Sequence, residues 1–125
     1  MAVNNITSES LCSFSKMLAQ QYELATKLVF ESYGVANLHD SHLESAFYRI
    51  RFFKYRAPEP SETNLGIVTH TDKTFVTLIH QHEAEGLQIK TKEGQYVDVM
   101  PKQSSFLFVA GDLLKVSRLV SWYDF

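Results

Sequence analysis

The sequence predicts a mainly β protein with one N-terminal helix. Three observations carry this. Apolar residues recur at three- and four-residue steps up to about residue 33, the period of a helix face. From Ala46 the period changes to two, the period of a strand. Beyond that point Gly, Pro and Asn punctuate short β-prone runs. A helix followed by about six short strands favours an antiparallel sandwich or barrel.

The helix spans residues 10–33. Leu11, Phe14, Leu18, Tyr22, Ala25 and Val29 form its apolar stripe, and Met17, Leu24 and Leu28 widen it. Ser8 or Ser10 can cap its start, and Gly34 can end it. Asp40-Ser-His-Leu-Glu-Ser45 is a short second helix, with His39 and His42 exposed. Next comes a strand with Tyr48, Ile50 and Phe52 on one face and Phe47, Arg49, Arg51, Phe53 and Tyr55 on the other. Ala57-Pro-Glu-Pro-Ser-Glu-Thr-Asn64 is a loop, followed by strands at 66–70 and 75–80. Residues 87–91 and 96–99 flank Lys92-Glu-Gly-Gln95, a hairpin turn. Ser105-Phe-Leu-Phe-Val-Ala110 is the last strand, after which Gly111-Asp112 turns the chain.

Composition narrows the classes. At 125 residues the chain is one small domain at most, with 45% hydrophobic and 21% charged residues and a net charge of −2. Lys and Arg are scattered, so no nucleic-acid partner is expected. No apolar run approaches membrane-spanning length, and Met1-Ala-Val-Asn-Asn-Ile-Thr-Ser8 has neither a basic nor an apolar signal region. Cys12 stands alone in a helical pattern, which suits a buried or half-buried thiol and a reducing, cytoplasmic location.

The chemistry-bearing pair is His70 and Asp72. Residues i and i+2 of a strand project from one face, so an imidazole and a carboxylate would point together. That is two-thirds of the 2-His-1-carboxylate triad that holds non-haem Fe(II). On spacing alone, a polar pair at a strand end is the favoured reading. His42-Leu-Glu44 is a looser version of the pattern. His80 and His82 also alternate, and a strand-end reading is favoured for them. Lys115 and Arg118 read as solvated.

Several motifs appear in order: Phe30-Glu-Ser-Tyr-Gly34, Asp40-Ser-His-Leu-Glu-Ser45, Tyr55-Arg-Ala-Pro58, Leu65-Gly-Ile-Val-Thr-His-Thr-Asp-Lys73, Glu85-Gly-Leu-Gln-Ile89, Gln95-Tyr-Val-Asp-Val99 and Ser105-Phe-Leu-Phe-Val-Ala-Gly-Asp112. Together they resemble the plant 2-oxoglutarate- and Fe(II)-dependent dioxygenases, nearest to the branch that modifies glucosinolate side chains. The resemblance covers residues 10–115. It implies a partial double-stranded β-helix (jelly roll) over residues 46–115, behind a helical segment, 1–45. It makes His70 and Asp72 the metal ligands and Tyr55 the 2-oxoglutarate-binding tyrosine. It implies Fe(II), 2-oxoglutarate as cosubstrate and ascorbate as reductant. The family chemistry converts 2-oxoglutarate to succinate and CO2 while an organic small molecule is oxidised, as in plant secondary metabolism.

Departures from the family pattern shape the expected function. The chain starts almost at its first helix. The family's distal His falls roughly fifty to sixty residues after the Asp, yet no His follows His82. The Arg-x-Ser that grips 2-oxoglutarate is also absent, and Ser117-Arg118 does not replace it. Residues 116–125 form a divergent tail whose Val116-Ser117 suits read-through of a splice donor. The expectation is a truncated dioxygenase that is inactive in this form. The alternatives are an enzyme completed by another chain, or a non-catalytic module that associates through exposed strand edges.

Overall fold

The computed structural model describes residues 7–115. Two compact units are distinct within the chain, Met1–Lys54 and Tyr55–Phe125. The expected divergent tail and Arg118 lie outside the described residues.

In the first unit, helix α1 runs Ser8–Ser32. Its cap is Thr7, one residue ahead of Ser8 and three ahead of Ser10, the expected serines. The Thr7 hydroxyl oxygen accepts the Ser10 amide at 3.1 Å, satisfying one of the open donors of the first turn. The helix stops where Gly34 adopts φ +72°, a conformation that glycine enters without a Cβ penalty. There the Gly34 amide donates to the Glu31 carbonyl and the Val35 amide to the Phe30 carbonyl, both at 3.0 Å. These are the paired bonds of a Schellman end. A 3-10 turn, Ala36–Leu38, leads directly into α2, His39–Ser45.

The packing between these helices is polar and aromatic. Phe14, Leu18, Tyr22, Ala25 and Val29 are half-buried as the stripe requires, but among the described residues the fully buried side chain is Thr26. Its hydroxyl lies 2.9 Å from the Tyr22 carbonyl, 3.1 Å from the Glu23 carbonyl and 3.0 Å from His39 Nε2. One hydroxyl proton serves a carbonyl, so His39 Nε2–H donates to the Thr26 oxygen. Phe30 stands edge-on to His39 with ring centroids 5.5 Å apart, and 5.1 Å from His42. Tyr22 donates its hydroxyl to His42 Nε2 at 2.8 Å. Burial, then the neighbouring His39, lowers the His42 pKa and favours the neutral acceptor ring.

Three expectations are corrected here. His39 is buried and His42 half-buried, because α2 folds both imidazoles back onto the aromatic side of α1. Cys12 is exposed, since the half-buried stripe beginning at Phe14 leaves it on the solvent side. Residues 46–54 form no strand. Tyr48 instead packs edge-on against Tyr22 at 5.2 Å, and Phe52 lies 6.5 Å from Phe14. Alternation supplied the apolar side chains, but the ladder partner that defines a strand is missing among the described residues.

In the second unit four strands form two antiparallel pairs. Strand β1, Val76–Ile79, pairs with β4, Leu107–Ala110, in the register Val76↔Ala110 to Ile79↔Leu107. Between them in sequence, β2, Gln88–Lys90, pairs with β3, Tyr96–Asp98. The inner hairpin turns at Gly94, φ +86°, with the Gly94 amide donating to the Thr91 carbonyl at 3.0 Å. The helix and antiparallel strands agree with the predicted class at that level. Among the described residues four strands replace the expected six or so, because 66–70 also has no ladder partner there. Val76 is the buried apolar side chain among the described residues, while Ile89, Tyr96 and Val97 are exposed.

Candidate metal centre

The segment preceding β1 carries the site. Thr69 bonds the Tyr96 hydroxyl of β3 at 3.0 Å. Thr71 and Lys73 both bond Asp112 Oδ2, each at 2.7 Å. The odd-numbered side chains are thus taken up by the protein. The even-numbered ones, His70 and Asp72, converge on each other. The alternation expected of a strand is present here without a strand ladder.

His70 Nε2 lies 3.6 Å from Asp72 Oδ1. The other ring nitrogen, Nδ1, lies 2.8 Å from the Val68 carbonyl. A carbonyl only accepts, so Nδ1 carries a proton, and in the neutral form of the ring the lone pair is at Nε2. Two electron-pair donors, an imidazole nitrogen and a carboxylate oxygen, therefore face each other with no proton of their own to share in that state. A backbone carbonyl that fixes the tautomer of a ligating histidine is the usual outer support of a metal ligand. The donor set suits Fe(II), which accepts imidazole and carboxylate together. Both side chains reach solvent, at 56% and 28% exposure, so the pair is accessible.

Sequence reasoning missed the partner of this segment. The Asp112 amide donates to the Asp72 carbonyl at 2.8 Å, and the Gly111 amide to the Phe75 carbonyl at 3.0 Å. Lys73, then Thr71 and Lys115, hold the Asp112 carboxyl far below the usual carboxylate range. Lys115, expected to be solvated, is largely so but lies 3.2 Å from Asp112 Oδ1. The available signal was Gly-Asp immediately after a strand, which reads as a turn and nothing more.

Tyr55 opens the second unit. Its ring covers Gly66: a Cβ on that glycine would stand 2.9 Å from Tyr55 Cε1 and 3.0 Å from Cδ1. The Pro-rich loop after Tyr55 is closed by Arg56 and Glu62, which pair through two bonds of 2.6 and 2.7 Å. His80 and His82 line a cleft of about 300 Å³ with Gln81, Glu83, Pro101, Gln103 and Ser104. His80 Nδ1 bonds the Ser105 carbonyl at 3.0 Å, and His82 lies 3.9 Å from Glu83. Among the described residues no group of three or more His, Cys, Asp or Glu side chains converges, so His70 and Asp72 stand as a pair.

Comparison with known proteins shows the family. Residues 44–119 match the family model described as the 2OG-Fe(II) oxygenase superfamily. The chain belongs to that superfamily. It is 37% identical over 116 residues to the Arabidopsis thaliana protein named "Probable 2-oxoglutarate-dependent dioxygenase AOP1.2", covering 89% of this chain and 36% of that protein. It is 43% identical over 53 residues to "2-oxoglutarate-dependent dioxygenase AOP3", covering 42% of this chain and 13% of that protein. It is 45% identical, also over 53 residues, to "Probable inactive 2-oxoglutarate-dependent dioxygenase AOP2", again 42% and 13% of the two lengths, both from the same plant. The chain thus spans about a third of the length of the curated relatives it matches most fully. No solved structure matches.

Proposed function

We propose that His70 and Asp72 are two of the three ligands of an Fe(II) site in a partial 2-oxoglutarate-dependent dioxygenase jelly roll. The convergence of His70 Nε2 and Asp72 Oδ1 at 3.6 Å, with Nδ1 tied to the Val68 carbonyl, carries this reading. Bound Fe(II) would supply the oxidative chemistry that side chains lack. The residues here orient the two donors, and Tyr55 contributes a hydroxyl to 2-oxoglutarate. By themselves these 125 residues hold Fe(II) weakly and release no succinate, because the described part carries no third ligand. The organic substrate is a small molecule, and the location is cytoplasmic. No helix among the described residues is long and apolar enough to cross a membrane.

The test is succinate release with Fe(II), ascorbate and 2-oxoglutarate, comparing the chain with a His70→Ala, Asp72→Ala variant. Equal, background release is expected. Succinate formation that depends on His70 would place these residues among self-sufficient enzymes.

A second reading is favoured by the strands. Among the described residues each sheet has two of them, which leaves every strand an edge without a described partner strand, and Ile89, Tyr96 and Val97 are exposed beside such edges. The chain then self-associates or pairs with a longer relative that completes the site. Sedimentation at micromolar concentration tests this: oligomers are expected, and a sharp monomer boundary would remove this reading.

A further inference from the structure

Three residues after β4 hold five consecutive residues around the ligand pair. The Asp112 carboxylate takes the side chains of Thr71 and Lys73 on its Oδ2, each at 2.7 Å. The Asp112 amide binds the carbonyl of Asp72 at 2.8 Å, the Leu113 amide that of Thr74 at 3.3 Å, and the Gly111 amide that of Phe75 at 3.0 Å. The grip begins where the ladder ends, since Val76 pairs with Ala110. It is also close-fitting. A Cβ on Gly111 would stand 1.8 Å from the Thr74 carbonyl oxygen and 3.1 Å from that of Asp72.

Ending a two-stranded ladder requires none of these side-chain bonds. Ion pairs as exposed as Lys73 with Asp112, at 84% and 28%, contribute little to stability. Their effect is directional. The bond to the Asp72 carbonyl fixes the peptide at residue 72, and the bonds to the Thr71 hydroxyl and the Lys73 ammonium tether the side chains on both sides of it. With those three constraints the Cα–Cβ direction of Asp72 is set, and its carboxylate meets His70.

We propose that Asp112 is the positioning residue of this centre, holding Asp72 turned toward His70 before any cation arrives. This rests on reading His70 and Asp72 as a metal pair. A ligand held in place loses less freedom on binding, and loss of such an outer partner commonly lowers metal affinity ten- to a hundredfold.

The test uses the full 125-residue chain, ¹⁵N-labelled, with Mn(II) alone as probe. Paramagnetic broadening of the His70 and Asp72 signals detects even millimolar binding. Four proteins are compared: the parent chain, His70→Ala, Asp112→Asn and the double variant Thr71→Val, Lys73→Met. Asp112→Asn and the double variant should each need ten to a hundred times more Mn(II) for the same broadening. Amide protection across Val76–Ile79 should persist in both. Without metal, the Asp72 signals should average between conformers in these two variants and stay single in the parent.

Parent-like titration of Asp112→Asn would overturn the proposal and leave the metal reading intact. A parent chain that titrates like His70→Ala would sink the metal reading itself. If Asp112→Asn also loses the strand protection, the double variant decides, because it keeps the Asp112 amide bond to Asp72. Parent-like affinity in the double variant would then overturn the proposal.

Discussion

Replacing Gly111 with alanine should be among the most damaging single-methyl changes in the second unit. The new Cβ would lie 1.8 Å from the Thr74 carbonyl oxygen and 2.7 Å from its carbon, where ordinary contact begins at 3.4 Å. The obstacle is backbone, so no rotamer change relieves it. The two segments must separate by roughly 1.5 Å, which lengthens the Gly111–Phe75 and Asp112–Asp72 bonds past any useful distance. Overpacking costs about 1–3 kcal/mol, and each lost bond about 0.5–1.5 kcal/mol. A total of about 2–6 kcal/mol is expected. Gly94→Ala is the matched control. It has open space around it and φ +86°, so only the left-handed backbone resists, at about 1–2 kcal/mol. Amide exchange at Val76–Ile79 reads both variants on one scale. Gly111→Ala should accelerate exchange there by at least tenfold more than Gly94→Ala. Equal protection in the two variants would refute the close approach of Gly111 to Thr74.

Other perturbations separate the remaining contacts. Gly66→Ala should displace the Tyr55 ring while leaving the strands intact, because the obstacle there is a side chain that can swing away; nuclear Overhauser contacts between residues 55 and 66 should vanish, and their persistence would contradict the packing. Thr26→Val should destabilise the helical unit by about 1–3 kcal/mol in urea unfolding, since it leaves the buried His39 Nε2–H without its acceptor. The helical unit should also weaken in acid. His42 titrates below its ordinary 6.5 when folded, so the unfolded chain takes up the proton first. Stability is therefore complete above about pH 6.5 and is lost as pH falls through the folded value. His42→Gln should remove that dependence from helical circular dichroism, and an unchanged pH profile would count against the burial of His42 beside His39 as its source.

What the sequence disclosed was local. Apolar spacing placed α1, and Gly34 marked its end, because capping and periodicity act within a few residues. Lys92 to Gln95 showed the inner hairpin for the same reason. That His70 and Asp72 share a face was legible, because two residues of spacing suffice for alternation, whereas a ligand role rested on the resemblance. Their support was not legible. Asp112 acts on Thr71 from 41 positions away, and only the β1–β4 pairing brings it there. His39 and His42 looked like surface residues because polarity hides how readily an imidazole packs on Phe30 and Tyr22. Residues 46–54 had a strand's pattern, but patterning cannot supply a neighbouring strand.

The nesting of β2–β3 inside the β1–β4 pair fixes an order of assembly. A short hairpin closes in about 1–10 μs, whereas joining β1 to β4 first means closing the long intervening loop, an entropic cost that a preformed hairpin shortens. The inner hairpin is therefore the early event and the outer pair the late one. Gly111 and Asp112 reach residues 71–75 only when the outer pair has closed. The His70–Asp72 geometry is thus the last thing this unit acquires during folding and the first it surrenders on unfolding. In pulsed exchange, protection of the Thr91 amide should precede that of Gly111; simultaneous protection would show that the two pairs form together.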